Sequence, residues 1–334
     1  MPRMPNLFIV GAPKSGTTSL YEWLKGHPDV FMSPFKEPCY FARDLAWEDS
    51  GYYLRHGVDR ARYLALFDDA AHATWLGEAS TRYLFSHDAP LLIAEEVADP
   101  RIVVMVRNPV DMVASLHAHK VASGTEDLVD LDAALAAEDD RRAGRRIPGN
   151  SNPRLSTYRD RARFGEQLER WIGVFGRGRV HVQVLEQVTR DPAAQYRSLL
   201  EFLGIDPTYR PASFEVHNPA HGSRHGPLGA LARSRVAQFA AWRVLPRVLG
   251  EARTLELARR IVQSPLLRRR ATRSGVPVEL RRRLEAEFAP DVELLSGLLG
   301  QDLAALWFGG GSDESRGAAF APTVGGRAGG PARS

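Results

Sequence analysis

Residues 11–18 read Gly11-Ala12-Pro13-Lys14-Ser15-Gly16-Thr17-Thr18, and these residue types suit the binding of a multiply charged oxyanion. Two glycines five positions apart let the backbone curl so that successive N–H groups point inward. A helix starting near Thr17 would add its unpaired donors and the positive end of its dipole. Lys14 supplies a cation, so a phosphate group would sit there. The order is not the Walker order, in which Gly-Lys-Ser/Thr follows four spacers: here the second glycine precedes Thr17 and the lysine lies two positions before it. The loop is a relative of the P-loop and not the standard one. The plain alternative is a strand-to-helix turn with an incidental Lys and Ser.

A second anion site follows from the apolar run 102–106, which ends in Arg107-Asn108-Pro109. In metal-dependent P-loop enzymes a later strand commonly ends in an aspartate that holds magnesium. This one ends in an arginine. Asn108 suits a helix cap and Pro109 the first turn, and Ser115 lies about two turns further on, on the side of Asp111. Arg107 at the carboxyl end of a strand beside the loop strand would meet a second phosphate at the usual ligand edge of such a sheet. Pairing with a carboxylate such as Asp111 is the alternative. His56, His117 and His119 could act as bases, yet lone histidines without a paired carboxylate read as surface or structural.

These groups need elements to position them. Short apolar runs at 7–10, 102–106 and 180–185 read as strands, each followed by turn residues and a helical pattern. Helices are expected at 17–25, 110–121, 132–142, 164–175 and 192–203, with Gly26 and Gly204 as stops. Strand alternating with helix implies α/β architecture with a parallel sheet. The expected fold is a P-loop-like three-layer arrangement, a central parallel sheet flanked by helices, plus a helical C-terminal third. The expected units are an α/β domain at 1–227, a helical extension packed on it at 228–308, and a disordered tail at 309–334, where Gly and Pro supply 10 of 26 residues. No convincing strand is expected between 228 and 307.

The 334 residues are 44% hydrophobic and 25% charged, which excludes collagen-like, coiled-coil-only and wholly disordered chains. No apolar run approaches the ~20 residues that cross a bilayer, and the first strand signal leaves no room for a signal peptide, so a cytoplasmic protein is expected. The single cysteine, Cys39, cannot form an intrachain disulfide, and no zinc site is expected. Between residues 224 and 283 there are 15 Arg against Glu251, Glu256 and Glu279, about +12, while the remainder sums to about −8. That stretch permits peripheral contact with an anionic membrane. Without interleaved aromatics it gives no case for specific nucleic-acid binding, and a solvated set of helical faces is the simpler reading.

Four motifs in order carry a resemblance: residues 13–18, Lys36-Glu37-Pro38-Cys39-Tyr40-Phe41, Gly77-Glu78-Ala79-Ser80-Thr81-Arg82-Tyr83, and Arg107-Asn108-Pro109 with Ser115. They resemble the sulfotransferases that use 3′-phosphoadenosine 5′-phosphosulfate, in particular bacterial members and the sulfotransferase domains of the heparan-sulfate enzymes, over about residues 6–205. The resemblance implies that Lys14, Ser15, Gly16, Thr17 and Thr18 hold the 5′-phosphosulfate, and that Arg107 and Ser115 hold the 3′-phosphate. Arg224, in a loosely matching later loop, would also touch the donor.

The chemistry asks for one base and one fixed cation, since an acceptor hydroxyl or amine loses a proton while the leaving phosphate oxygen gains charge. No metal is demanded. The resemblance places Glu37 at the position of the relatives' catalytic glutamate, in the Glu-x-x-x-Phe pattern ending at Phe41, with Lys14 as the cation. Lys36 would assist Glu37 or remain a surface lysine. Glu78 is the rival base. The heparan-sulfate relatives follow that acid with a lysine, whereas Ala79 stands here. The acceptor is expected to be a small molecule, lipid or saccharide, with Tyr40, Trp47, Tyr52, Tyr53 and Trp242 as candidate pocket aromatics. Two other functions fit less well, a P-loop kinase using ATP and magnesium and a non-catalytic nucleotide-binding scaffold.

Overall fold

The computed structural model describes residues 3–46, 59–70, 73–148, 152–215, 221–223, 268–270 and 275–309. Its centre is a five-stranded sheet in the order β2-β3-β1-β4-β5, comprising β1 (Leu7–Gly11), β2 (Val30–Met32), β3 (Trp75–Ala79), β4 (Arg101–Val106) and β5 (Val180–Val184). All four pairings are parallel. The strands alternate their side chains between two apolar clusters. Phe8, Val10, Ile102, Val104 and Val106 enter one, and Leu7, Ile9, Val103 and Met105 the other. Burial on both faces is why β1 and β4 read as unbroken apolar runs rather than alternating ones.

Helices cover both faces. In chain order they are α1 (Thr17–Lys25), α2 (Arg60–Ala65), α3 (Asp88–Glu96), α4 (Pro109–Ser123), α5 (Leu131–Ala136), α6 (Glu138–Arg142), α7 (Tyr158–Ala162), α8 (Phe164–Phe175), α9 (Leu185–Arg190) and α10 (Pro192–Leu203), then α11 (Val278–Leu299) and α12 (Leu303–Phe308). Leu20, Trp23 and Leu24 of α1 pack with Tyr196, Leu199, Leu200 and Leu203 of α10 on one face. The other face is covered by α3, α4, α8, α11 and α12. These are the expected three layers. Leu280, Leu284, Phe288, Val292 and Leu295 form one stripe along α11 at helical spacing, inside the sheet's own core. Asp291 of α11 also caps α8, accepting from Gly165 N at 2.9 Å and Glu166 N at 3.0 Å.

Several elements differ from the sequence reading. β2 and β3 carried no strand signal: β2 has three residues, and β3 (Trp-Leu-Gly-Glu-Ala) holds a glycine and a charged residue despite full burial. The helix expected at 132–142 is two, α5 and α6, divided at Ala137. The division falls beside Glu138, whose carboxylate turns inward to accept from the Tyr158 and Arg159 N–H groups. Within the region read as helical throughout, residues Arg268–Arg270 form a strand, β7, antiparallel to β6 (His221–Ser223). A three-residue strand made of arginine is too short for period-two patterning and holds no residue type that signals a strand. Of the expected tail, only Gly309 is among the described residues.

Candidate functional site

The loop between β1 and α1 is pinned to the next strand, with Ala12 N donating to Met105 O at 2.5 Å. Gly16 caps α1 at φ 89°, a left-handed backbone angle that favours glycine, and a Cβ there would press on the tip of the Leu185 side chain at 2.9 Å. Lys14 also has a positive φ of 64°. Ser15 is fully buried, and its hydroxyl has no hydrogen-bond partner among the described residues. A buried hydroxyl of that kind calls for an outside partner, and at a helix N-terminus an anionic oxygen fits the need. Thr17 is buried, while Lys14, Gly16 and Thr18 are half-buried.

Arg107, at the end of β4, donates from Nη1 to the Lys14 carbonyl at 3.0 Å. The two stretches expected to bind anions are therefore in contact. Asp111, the suggested alternative partner of Arg107, accepts from Arg281 of α11 at 2.6 Å. Asn108 caps α4 by accepting from Val110 N at 2.9 Å and Asp111 N at 3.3 Å. It is held from outside as well. Its Nδ2 donates to Trp307 O at 3.0 Å, and Glu186 bridges Asn108 N (3.0 Å) and Trp307 Nε1 (3.1 Å). The C-terminal helices thus brace the turn that aims Arg107. Ser115 is half-buried on α4.

Glu37 lies in the segment after β2, with its N–H donating to Ala79 O at 2.9 Å. Its carboxylate accepts from Thr81 N at 2.9 Å and from Thr81 Oγ1 at 3.1 and 3.2 Å, with Lys36 Nζ 3.3 Å away. The side chain remains 36% exposed, so it is both oriented and reachable. Glu78 is the opposite case. It is fully buried and accepts from Tyr63 (2.5 Å), Ser80 (2.7 Å) and Tyr83 (2.8 Å) hydroxyls. Burial pushes its carboxyl up to about 7 against the pull of those three donors. His117 is buried and engaged with Leu128 O at 2.8 Å. His119 is exposed on α4.

Tyr40 stacks on Tyr63 with centroids 4.3 Å apart. Arg224, His56, Trp47, Tyr52, Tyr53 and Trp242 lie outside the described residues. Sequence reasoning passed over Thr81, which holds Glu37, and Lys120 and Arg161, which are buried nearby. Thr81 sits inside a quoted motif, where its proximity to Glu37 is a tertiary fact. Lys120 is one of only four lysines, and Arg161 has no local signature.

A parallel sheet with helices on both faces, and a glycine loop at the carboxyl end of its central strand, defines an open α/β class of fold. The chain belongs to the sulfotransferase family, whose model matches residues 5–209. It is 27% identical over 213 residues to the human bifunctional heparan sulfate N-deacetylase/N-sulfotransferase 2, covering 61% of this chain and 22% of that protein. It is 26% identical over 207 residues to mouse heparan sulfate glucosamine 3-O-sulfotransferase 3A1, covering 61% of this chain and 46% of that one. The chain therefore spans about a fifth to a half of the curated relatives it matches. Among solved structures, a sulfotransferase from Alicyclobacillus acidocaldarius aligns with TM-score 0.66 and 27% identity, over 92% of this chain and 99% of that chain. Among the described residues no helix is long and apolar enough to cross a membrane.

Proposed function

We propose that the protein moves a sulfuryl group from 3′-phosphoadenosine 5′-phosphosulfate to a hydroxyl or amine of a small-molecule, lipid or saccharide acceptor. The observation that carries this reading is the contact between Arg107 and the Lys14 carbonyl, which gathers two anion-binding stretches at one sheet edge. The unpartnered Ser15 hydroxyl suits an oxyanion in the same loop. In this reading Lys14, Ser15, Gly16, Thr17 and Thr18 hold the 5′-phosphosulfate, while Arg107 and Ser115 hold the 3′-phosphate. Arg224 keeps its proposed place at the donor.

Glu37 would take the proton from the acceptor as its oxygen or nitrogen bonds to sulfur and the sulfur–oxygen bond to the 5′-phosphate breaks. Thr81 and Lys36 keep that carboxylate in place. Lys14 would meet the charge that grows on the departing phosphate oxygen. In this reading Glu78, buried among the Tyr63, Ser80 and Tyr83 hydroxyls, serves as their anchor and not as the base. The heparan sulfate in the relatives' names favours a saccharide, although Ala79 stands where those relatives carry a lysine. Cytoplasmic placement belongs to the same proposal.

Affinity measurements for adenosine 3′,5′-bisphosphate and for ATP, each with and without magnesium, test it. The bisphosphate should bind more tightly, with no dependence on magnesium. Tighter ATP binding that requires magnesium would support the kinase instead.

A further inference from the structure

Two buried cations, one of them within the field of Glu37, converge on a single oxygen. Lys120 Nζ donates to Leu155 O at 2.8 Å, and Arg161 Nη1 donates to the same carbonyl at 3.3 Å. Their residues are only 9% and 6% exposed. The other contacts of Lys120 are neutral: Ser156 Oγ at 3.2 Å and the Tyr158 ring at 5.6 Å. Glu126, the carboxylate that acts on Lys120, is committed elsewhere. Both its oxygens accept from Arg141 at 2.8 Å, and one also accepts from the Tyr158 hydroxyl at 2.6 Å.

Arg82 is the third cation. It follows Thr81, whose N–H holds Glu37, and its charge is the largest acting on the Arg161 guanidinium. Arg82 Nη1 and Arg161 Nε are both buried without a hydrogen-bond partner among the described residues. Burial, then the charges around it led by Arg161, push the Lys120 ammonium down to about 7. Buried cations that repel one another and keep unused donors are costly unless a counter-charge arrives. Glu37 is the nearby acid that acts on Arg161, and it is already engaged by Thr81 and Lys36.

We propose that Arg82, Lys120 and Arg161 form a seat for an anionic group carried by the acceptor, a carboxylate, sulfate ester or phosphate ester, which holds the acceptor beside Glu37. The inference rests on the sulfotransferase reading and narrows its acceptor to an anionic one. The rival occupant is the donor's own transferring sulfuryl group, and the two can be separated by experiment.

Inorganic sulfate, titrated calorimetrically into protein saturated with 3′-phosphoadenosine 5′-phosphosulfate, probes the seat while donor loop and sulfuryl position are filled. Sulfate should bind the wild type and bind Arg161→Gln and Arg82→Gln at least tenfold more weakly, with donor affinity unchanged in both variants. No sulfate binding, or equal binding by wild type and variants, overturns the inference. Loss of affinity for 3′-phosphoadenosine 5′-phosphosulfate but not for adenosine 3′,5′-bisphosphate assigns the cations to the sulfuryl group and overturns it too. A wild type that binds neither nucleotide removes the sulfotransferase reading and this inference with it.

A stability measurement separates this seat from a merely structural arginine. Arg161→Met removes a repelled charge and leaves Leu155 O with Lys120, so the unliganded protein should melt about 2 to 4 °C higher. A lower melting temperature with intact donor binding makes Arg161 structural and refutes the seat.

Discussion

Glu78 should make the fold less stable as pH rises, and Glu78→Gln should remove that dependence. The carboxyl is fully buried among Tyr63, Ser80 and Tyr83, and burial raises its folded-state pKa from 4.5 to about 7. Between those values the native state holds a proton that the unfolded chain releases, so stability falls with pH. The contribution is fully present below about 4.5 and is lost as pH rises through about 7. At about 1.36 kcal/mol per unit, the loss amounts to about 3 kcal/mol. Glutamine keeps a neutral group of the same shape. Urea unfolding followed by circular dichroism at pH 4.5, 6 and 8 should give a wild-type stability that declines relative to that of the variant across the series by about that amount. An unchanged slope, or wild-type stability that rises relative to the variant, would show that the three hydroxyl donors outweigh desolvation.

Glu37→Gln keeps the hydrogen-bonding shape but cannot accept a proton, so turnover should fall by about 10² to 10⁴ while donor affinity stays near normal. Glu78→Gln, assayed in parallel at saturating donor, should retain turnover; the reverse pattern would transfer the role of base to Glu78. Glu126→Ala strands Arg141, which shares a fully buried ion pair with it, and should cost about 3 to 5 kcal/mol in denaturant unfolding. A loss below about 1 kcal/mol would mean that water or Tyr158 compensates.

The central strand, its neighbour β4 and the long amphipathic helices were legible because each carries an apolar period long enough to register. Helices 17–25, 164–175 and 192–203 occur at the expected bounds. The glycine loop was legible because its residue types are local to one turn. What escaped is set by tertiary contact. β3 forms through pairing with β1 and β2 although Gly77 and Glu78 argue against a strand. Glu37 and Thr81 meet across 44 residues. Asn108 and Trp307 are 199 residues apart, yet their hydrogen bond braces the Arg107 turn. Lys120 and Arg161 meet only at the Leu155 carbonyl. No window of sequence contains such pairs.

The central claim is that Arg107, seated on the Lys14 loop, reads a 3′-phosphate. Arg107→Ala should weaken adenosine 3′,5′-bisphosphate by about 1.5 to 3 kcal/mol, about 10- to 150-fold, as for a lost hydrogen bond to a charged group. Calorimetric titration of wild type and variant with this ligand and with adenosine 5′-monophosphate measures it directly. The loss should be confined to the 3′-phosphorylated nucleotide, and equal losses for both ligands would contradict that role for Arg107.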